Sequence, residues 1–190
     1  MKFVDPIYDE NTRRDIANYL KKKNKRDAFM FLLGINVGCR ISDILSLRVC
    51  DLKGKERLCI IEQKTGKPRY FKIPPKFNRD IVQPFLATYE DTEQYIFKSR
   101  TGEKPITRCR AWKIIHDAGR KFGVKKCGSH TLRKTFGYIY YKKYGDVAEL
   151  MKIFNHSKEE ITLRYIGVQG TKIEEHLDNL HILDNFNLND

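Results

Sequence analysis

The chain has 190 residues, 41% of them hydrophobic, which suits one globular domain with a real core and excludes wholesale disorder. Its 37 Lys and Arg outnumber 24 Asp and Glu, for a net charge of +13 and a pI near 9.5. Five cysteines without a CxxC pair, five histidines without an HExxH, and no apolar run of 18 residues argue against a disulfide scaffold, a metal site and a membrane span.

Asp9 to Lys23 opens with helix-starting polar residues and continues with Ile16, Tyr19 and Leu20 at helical spacing. A basic run, Lys21 to Arg26, closes it. Asp27 is placed to cap a second helix, whose continuous apolar stretch Ala28 to Leu33 reads as a core helix ending near Gly38. A short helix carrying Arg40, Asp43, Ile44 and Leu45 follows. The period then changes. Leu58 to Ile61 and Arg69 to Ile73 are β-rich runs on either side of Lys64-Thr65-Gly66-Lys67-Pro68, a hairpin signature, and Asp51 to Leu58 is a candidate third strand. Beyond Pro74-Pro75 the pattern is helical to about Tyr89, followed by a strand or loop at Tyr95 to Phe97 and a turn at Thr101 to Pro105. Helices are expected at roughly 107–122, 130–143, 146–154, 158–165 and 171–180, with Ser129 capping the second. The sum is an α+β, mainly helical domain with one small antiparallel sheet and no internal linker. Cys39, Cys50 and Cys59 sit among apolar residues and are expected to pack.

The charge is uneven. Residues 173–190 hold five acids and no Lys or Arg, leaving a net +18 in residues 1–172. A body this basic points to a polyanionic partner, with nucleic acid the commonest. The absence of a signal peptide after Met1 and of a long apolar run reads as a soluble cytoplasmic protein.

Four short motifs stand out in order: Gly38-Cys39-Arg40-Ile41-Ser42-Asp43-Ile44-Leu45; Lys64-Thr65-Gly66-Lys67; His130-Thr131-Leu132-Arg133-Lys134-Thr135-Phe136-Gly137; and Phe154-Asn155-His156-Ser157 with Thr162-Leu163-Arg164-Tyr165-Ile166-Gly167. Each alone reads as surface charge or packing. His130 and Arg133 share a face near a positive helix end, a favourable place for an anion. The ordered set resembles the tyrosine recombinases, the lambda-type phage integrases and Xer-type site-specific recombinases. The likeness runs from about Asp9 to Leu180.

That resemblance implies the tyrosine-recombinase catalytic fold over residues 1–172, with 173–190 an acidic C-terminal helix or tail. Such a helix either docks on a neighbouring protomer or folds back on its own domain. Members usually show Leu-Gly-His where this chain has Phe154-Asn155-His156, so a slightly different backbone is expected there. Most also carry an N-terminal core-binding domain with no counterpart here, making the chain a fragment or a compact stand-alone recombinase.

The resemblance also assigns the chemistry. Tyr165 matches the nucleophile, which leaves a 3′-phosphotyrosine and a free 5′-hydroxyl; a phenol with pKa near 10 leaves more readily than an alkyl alcohol, so ligation stays reversible. Arg40 and Arg133 match the paired arginines that clamp nonbridging phosphate oxygens, each worth about 3 kcal/mol to the transition state by analogy with oxyanion-hole donors. Lys64 matches the acid for the departing 5′-oxygen, with Lys67 an alternative acid or a phosphate contact. His130 takes the phenol proton or helps bind phosphate, and His156 bonds a nonbridging oxygen. Asp43 orients Arg40 or His130. Lys67, Arg69 and Lys134 are candidate DNA-phosphate contacts. The protein–DNA link conserves bond energy, so no cofactor or metal is required. The expected partners are double-stranded DNA and further copies of the chain, a tetramer on DNA, in the setting of a phage or transposon. Alternatives are type IB topoisomerase-like relaxation and an inactive DNA-binding regulator of the same fold.

Overall fold

The computed structural model describes residues 4–61, 66 and 68–168. Helix α1 (Glu10–Lys23) begins where the Asp9 carboxylate accepts the Thr12 N–H at 2.6 Å, and it ends on three lysines that suit its negative pole. A single extended residue, Asn24, separates it from α2 (Lys25–Val37). The Asn24 side chain accepts the Arg26 N–H at 2.9 Å, so Asn24 is the cap and not Asp27. Asp27 lies inside the helix, buried, its carboxylate bound twice by the Arg26 guanidinium at 2.7 and 2.9 Å.

After α3 (Ile41–Leu45) the chain makes a 3-10 turn, Val49–Asp51, where the Asp51 carboxylate accepts the Arg48 N–H. This closed turn and the left-handed Gly54 beyond it replace the expected third strand, because neither leaves an extended run to pair. Strands β1 (Arg57–Ile61) and β2 (Pro68–Lys72) form a two-stranded antiparallel sheet, in register from Arg57 opposite Lys72 to Ile61 opposite Pro68. Leu58 and Ile60 of β1 are buried, and alternation turns Cys59 outward, so Cys59 is exposed and does not pack; Cys50 is half-buried and Cys39 buried.

A helical stretch follows as α4 (Pro75–Phe77), a π-turn (Asn78–Val82) and α5 (Gln83–Leu86), stopping short of Tyr89. Residues near 95–98 form isolated bridges, Arg48 with Tyr95 and Lys98 with Pro105. Helix α6 (Arg108–Lys121) is capped by Thr107 and α8 (Val147–Phe154) by Asp146. Between them α7 (Ser129–Tyr144) starts one residue earlier than expected: Gly128 is the cap, its N–H bonded by the Thr131 hydroxyl at 3.0 Å, and Ser129 is already helical. Helix α9 (Glu159–Ile166) ends at the left-handed Gly167. The helix expected at 171–180 and the acidic tail lie outside the described residues.

Two apolar clusters hold these elements. The larger joins α1, α2, α3, the inner face of the hairpin and α6. The smaller centres on Leu150, Phe154 and Ile166, beneath α8 and α9. Helix α7 lies between them. It approaches α2 so closely that a methyl group on Gly34 would sit 2.5 Å from Leu132, and one on Gly38 2.3 Å from the Phe136 ring. Gly38 is also the left-handed end of α2, with φ of 68°, so both space and backbone require glycine there.

Candidate active site

The tight α2–α7 seam sets the first part of the site. Arg133, one turn into α7, is buried, and its guanidinium donates to the Gly38 carbonyl at 2.7 Å and the Phe154 carbonyl at 3.2 Å while stacking on the Phe154 ring. It thereby joins the end of α2 to the end of α8. Burial depresses its pKa, yet a guanidinium stays charged at any physiological pH. Arg40 is the extended residue before α3, half-buried, so it does not share a helix face with Asp43. Asp43 is buried, accepting from Ser42; burial raises its pKa, and Arg40 and Arg133 pull it back down. Its field therefore bears on the two arginines.

Arg40, His130 and Arg133 line one open cleft of about 380 Å³, together with Arg108, Trp112 and Ser129. A groove of about 880 Å³ between α1 and α6 is larger, but none of the matched motif residues lines it, so volume does not mark the site. Trp112 and Arg108 were missed from sequence. The chain's one tryptophan being exposed on a basic amphipathic helix is the signal that could have found them.

The second part of the site comes from α8 and α9. Asn155 ends α8 in the left-handed conformation, with φ of 56°. Asn is the residue that best tolerates this region after Gly. His156 follows, half-buried, its Nδ1 3.0 Å from the Thr162 hydroxyl, which leaves the other ring nitrogen to meet a ligand. Thr162 was another miss, detectable only as a hydroxyl one turn before Tyr165 in α9. Tyr165 is half-buried, edge-on to Phe154 and His156. Its hydroxyl lies 3.3 Å from His130 Nδ1, which connects α9 to the cleft.

The electrostatics set the resting protonation states of these two groups. Burial raises the Tyr165 pKa, with Arg133 and Arg40 opposing it, so the phenol is protonated near neutrality. His130 is pushed the other way, first by loss of water on its packed side and then by Arg133, Lys134 and Arg40. A neutral imidazole thus faces a protonated phenol. His156 is lowered by burial and the same two arginines.

The structure therefore brings together Arg40, Asp43, His130, Arg133, His156 and Tyr165. Lys64 and Lys67 lie outside the described residues. Two phosphate candidates make contacts within the fold. Lys134 is buried with its ammonium over the Tyr165 ring at 5.2 Å, because its helix face packs against α9. Arg69 points to the inner face of the hairpin and donates to the Lys152 and Ile153 carbonyls. Among the described residues no cluster of His, Cys, Asp and Glu could hold a metal ion, and no helix is long and apolar enough to cross a membrane.

Comparison with known proteins gives a consistent result. A profile described as the phage integrase family matches residues 7–171. The probable integrase/recombinase YoeC of Bacillus subtilis (strain 168) is 43% identical over 168 residues, covering 88% of this chain and 92% of that protein. The tyrosine recombinase XerA of Pyrococcus furiosus is 25% identical over 179 residues; the alignment covers 93% of this chain but only 62% of XerA. Among solved structures, the Tn1549 transposon integrase in complex with a circular intermediate DNA superposes with a TM-score of 0.72 at 15% identity, over 95% of this chain and 67% of that one.

Proposed function

The chain belongs to the phage integrase family of tyrosine recombinases, and from that premise we propose that its cleft cuts and rejoins DNA strands through Tyr165. The observation that carries this reading is the Tyr165 hydroxyl 3.3 Å from His130 Nδ1, beside a buried and anchored Arg133. A backbone phosphate enters the cleft with its nonbridging oxygens on Arg40 and Arg133 and on the free ring nitrogen of His156. Tyr165 attacks phosphorus as His130 takes the phenol proton. The new bond joins the Tyr165 oxygen to phosphorus, the bond from phosphorus to the 5′-oxygen breaks, and that oxygen takes a proton from Lys64. The 5′-hydroxyl of a partner strand then attacks the phosphotyrosine, and Tyr165 leaves with its proton restored. Asp43 steadies the arginines. The motif resemblance supports the role of Lys64, and the rest is supported by the geometry above.

The partners follow from the same reading: duplex DNA held mainly through phosphates by a body of net charge +18, and further copies of the chain in a tetramer on paired sites. The place of action is the cytoplasm, on a mobile element's DNA. No observation favours DNA relaxation or a catalytically silent regulator.

A nicked suicide substrate, which releases a short 5′-ended fragment and so traps the covalent complex, tests the nucleophile. Wild type is expected to form an adduct stable to denaturing electrophoresis, while Tyr165→Phe forms none and binds DNA nearly as well, having lost one hydroxyl and no charge. An adduct with Tyr165→Phe overturns the assignment. The acid is tested with a 5′-bridging phosphorothiolate, whose thiolate leaves unprotonated. That substrate should restore cleavage to Lys64→Ala; restoration in Lys67→Ala alone makes Lys67 the acid.

A further inference from the structure

Arg69 is a basic residue two positions beyond the KTGK turn, yet it does not face outward. In the β1–β2 register it stands directly opposite Ile60, and Phe71 stands opposite Leu58, so all four share the inner face of the hairpin. Leu58 and Ile60 are buried and Arg69 is half-buried, its guanidinium 5.1 Å from the Phe71 ring centroid. From there it crosses to another part of the fold. Its guanidinium donates to the carbonyls of Ile153 at 2.7 Å and Lys152 at 3.1 Å, in the last turn of α8. The Lys152 carbonyl also accepts the Asn155 N–H at 3.3 Å, so Arg69 adds a second donor at a helix end where backbone donors run out. The next carbonyl, Phe154, accepts from Arg133. Two arginines from different elements therefore collar one helix terminus, and the residue that leaves the collar, after the left-handed Asn155, is His156, whose own N–H bonds back to Met151.

We propose that Arg69 is a positioning residue of the recombination site: it seats the hairpin against the end of α8 and so sets where His156 stands relative to Arg133 and Tyr165. The proposal rests on the reading of the site given above. A planar guanidinium with several donors can bridge two successive carbonyls and stack on a ring at once, which a lysine ammonium cannot reproduce. A helix end released from this bridge lets His156 drift, and a drift of the order of 1 Å in a phosphate-binding group costs about 100-fold in rate.

The test uses the full chain carrying Arg69→Lys and, separately, Arg69→Gln, with folding checked by circular dichroism. Three readouts are compared with wild type: the His156 imidazole resonances in the free protein, assigned with His156→Gln; the rate of covalent-complex formation on the suicide substrate; and DNA affinity across a salt series. The expected result is displaced His156 resonances in both variants, cleavage slowed about 10- to 100-fold in both, and an unchanged salt slope. If Arg69→Lys restores cleavage and Arg69→Gln lowers the salt slope by about one, Arg69 is a phosphate contact and the proposal fails. Unmoved His156 resonances in both variants also overturn it, whatever happens to cleavage. Because that readout needs no activity, a wild-type chain that fails to cleave refutes the functional reading and leaves Arg69 to be decided by the spectrum.

Discussion

Arg40 and Arg133 stand where α2, α3 and α7 meet, against the large apolar cluster, and Arg133 is fastened there by the Gly38 carbonyl. His156 follows the end of α8 and Tyr165 stands on α9, and the cluster of these two helices has three buried members, Leu150, Phe154 and Ile166. At about 1.5–3 kcal/mol for each buried apolar side chain, that smaller cluster gives α8 and α9 far less to lose on opening than α2 has. On the proposed reading, the arginines that bind phosphate belong to the part that costs most to deform. On the same reading, the phenol that would attack and leave again belongs to the part that costs least. The two cores are separate, and Arg133 spans them.

The sharpest way to break this picture is Arg133→Ala. Covalent-complex formation is expected to fall about 100- to 1,000-fold, as when a preorganised donor is lost. The Gly38 and Phe154 carbonyls also lose their donor, at about 1–3 kcal/mol each. Single-turnover cleavage and urea denaturation measure the two effects, and unchanged stability would mean that Arg133 does not join the regions. Next come two matched glycines. Gly34→Ala forces a methyl into Leu132 at 2.5 Å, in the α2–α7 seam, whereas Gly137→Ala forces one into Phe154 and Ile166 at 2.6 and 2.7 Å, under α8 and α9. Both should cost about 1–3 kcal/mol by overpacking. Gly34→Ala should lower the denaturation midpoint of the whole domain, and Gly137→Ala should chiefly slow cleavage. Equal global losses from both would erase the distinction. In the unmodified protein, hydrogen exchange of the α8 and α9 amides should proceed through openings that need less denaturant than those of α2.

The smallest expected effect is on pH. His130 and His156 both have pKa values lowered by folding, so the unfolded chain binds protons more readily than the folded one just below the ordinary histidine value of about 6.5. Their contribution to stability is fully present above that value and is lost as pH falls through the folded pKa values. Melting temperature should therefore be level from pH 8 to 7 and decline toward pH 5.5. The decline should be shallower in His130→Gln and His156→Gln, and an unchanged decline in both would place its cause elsewhere.

Much of this was legible in the residues. Helix positions followed from 3.6-residue periodicity, and the order of the four motifs pointed to the fold. The errors were of two physical kinds. Caps were misplaced by a few residues at Asp27 and Ser129, because several polar side chains stood near each helix start and only backbone geometry chose Asn24 and Gly128. The third strand was lost to a side-chain bond, Asp51 to the Arg48 N–H, that competes with extension and leaves no period to read.

The kinds of chemistry available, two guanidiniums, two imidazoles and a phenol in a basic chain, were determined by the sequence alone, since they are properties of the side chains and of their order. Which way a side chain faces was not. Cys59 was expected to pack and faces outward, while Arg69 and Lys134 turn toward other parts of the fold; each orientation was decided by contacts with residues distant in sequence or by strand register. Register reverses every side chain with a shift of one residue, and burial depends on what packs from elsewhere in the chain. Likewise the 3.3 Å approach of Tyr165 to His130 exists only because α7 separates two cores and lets α9 fold back across its start.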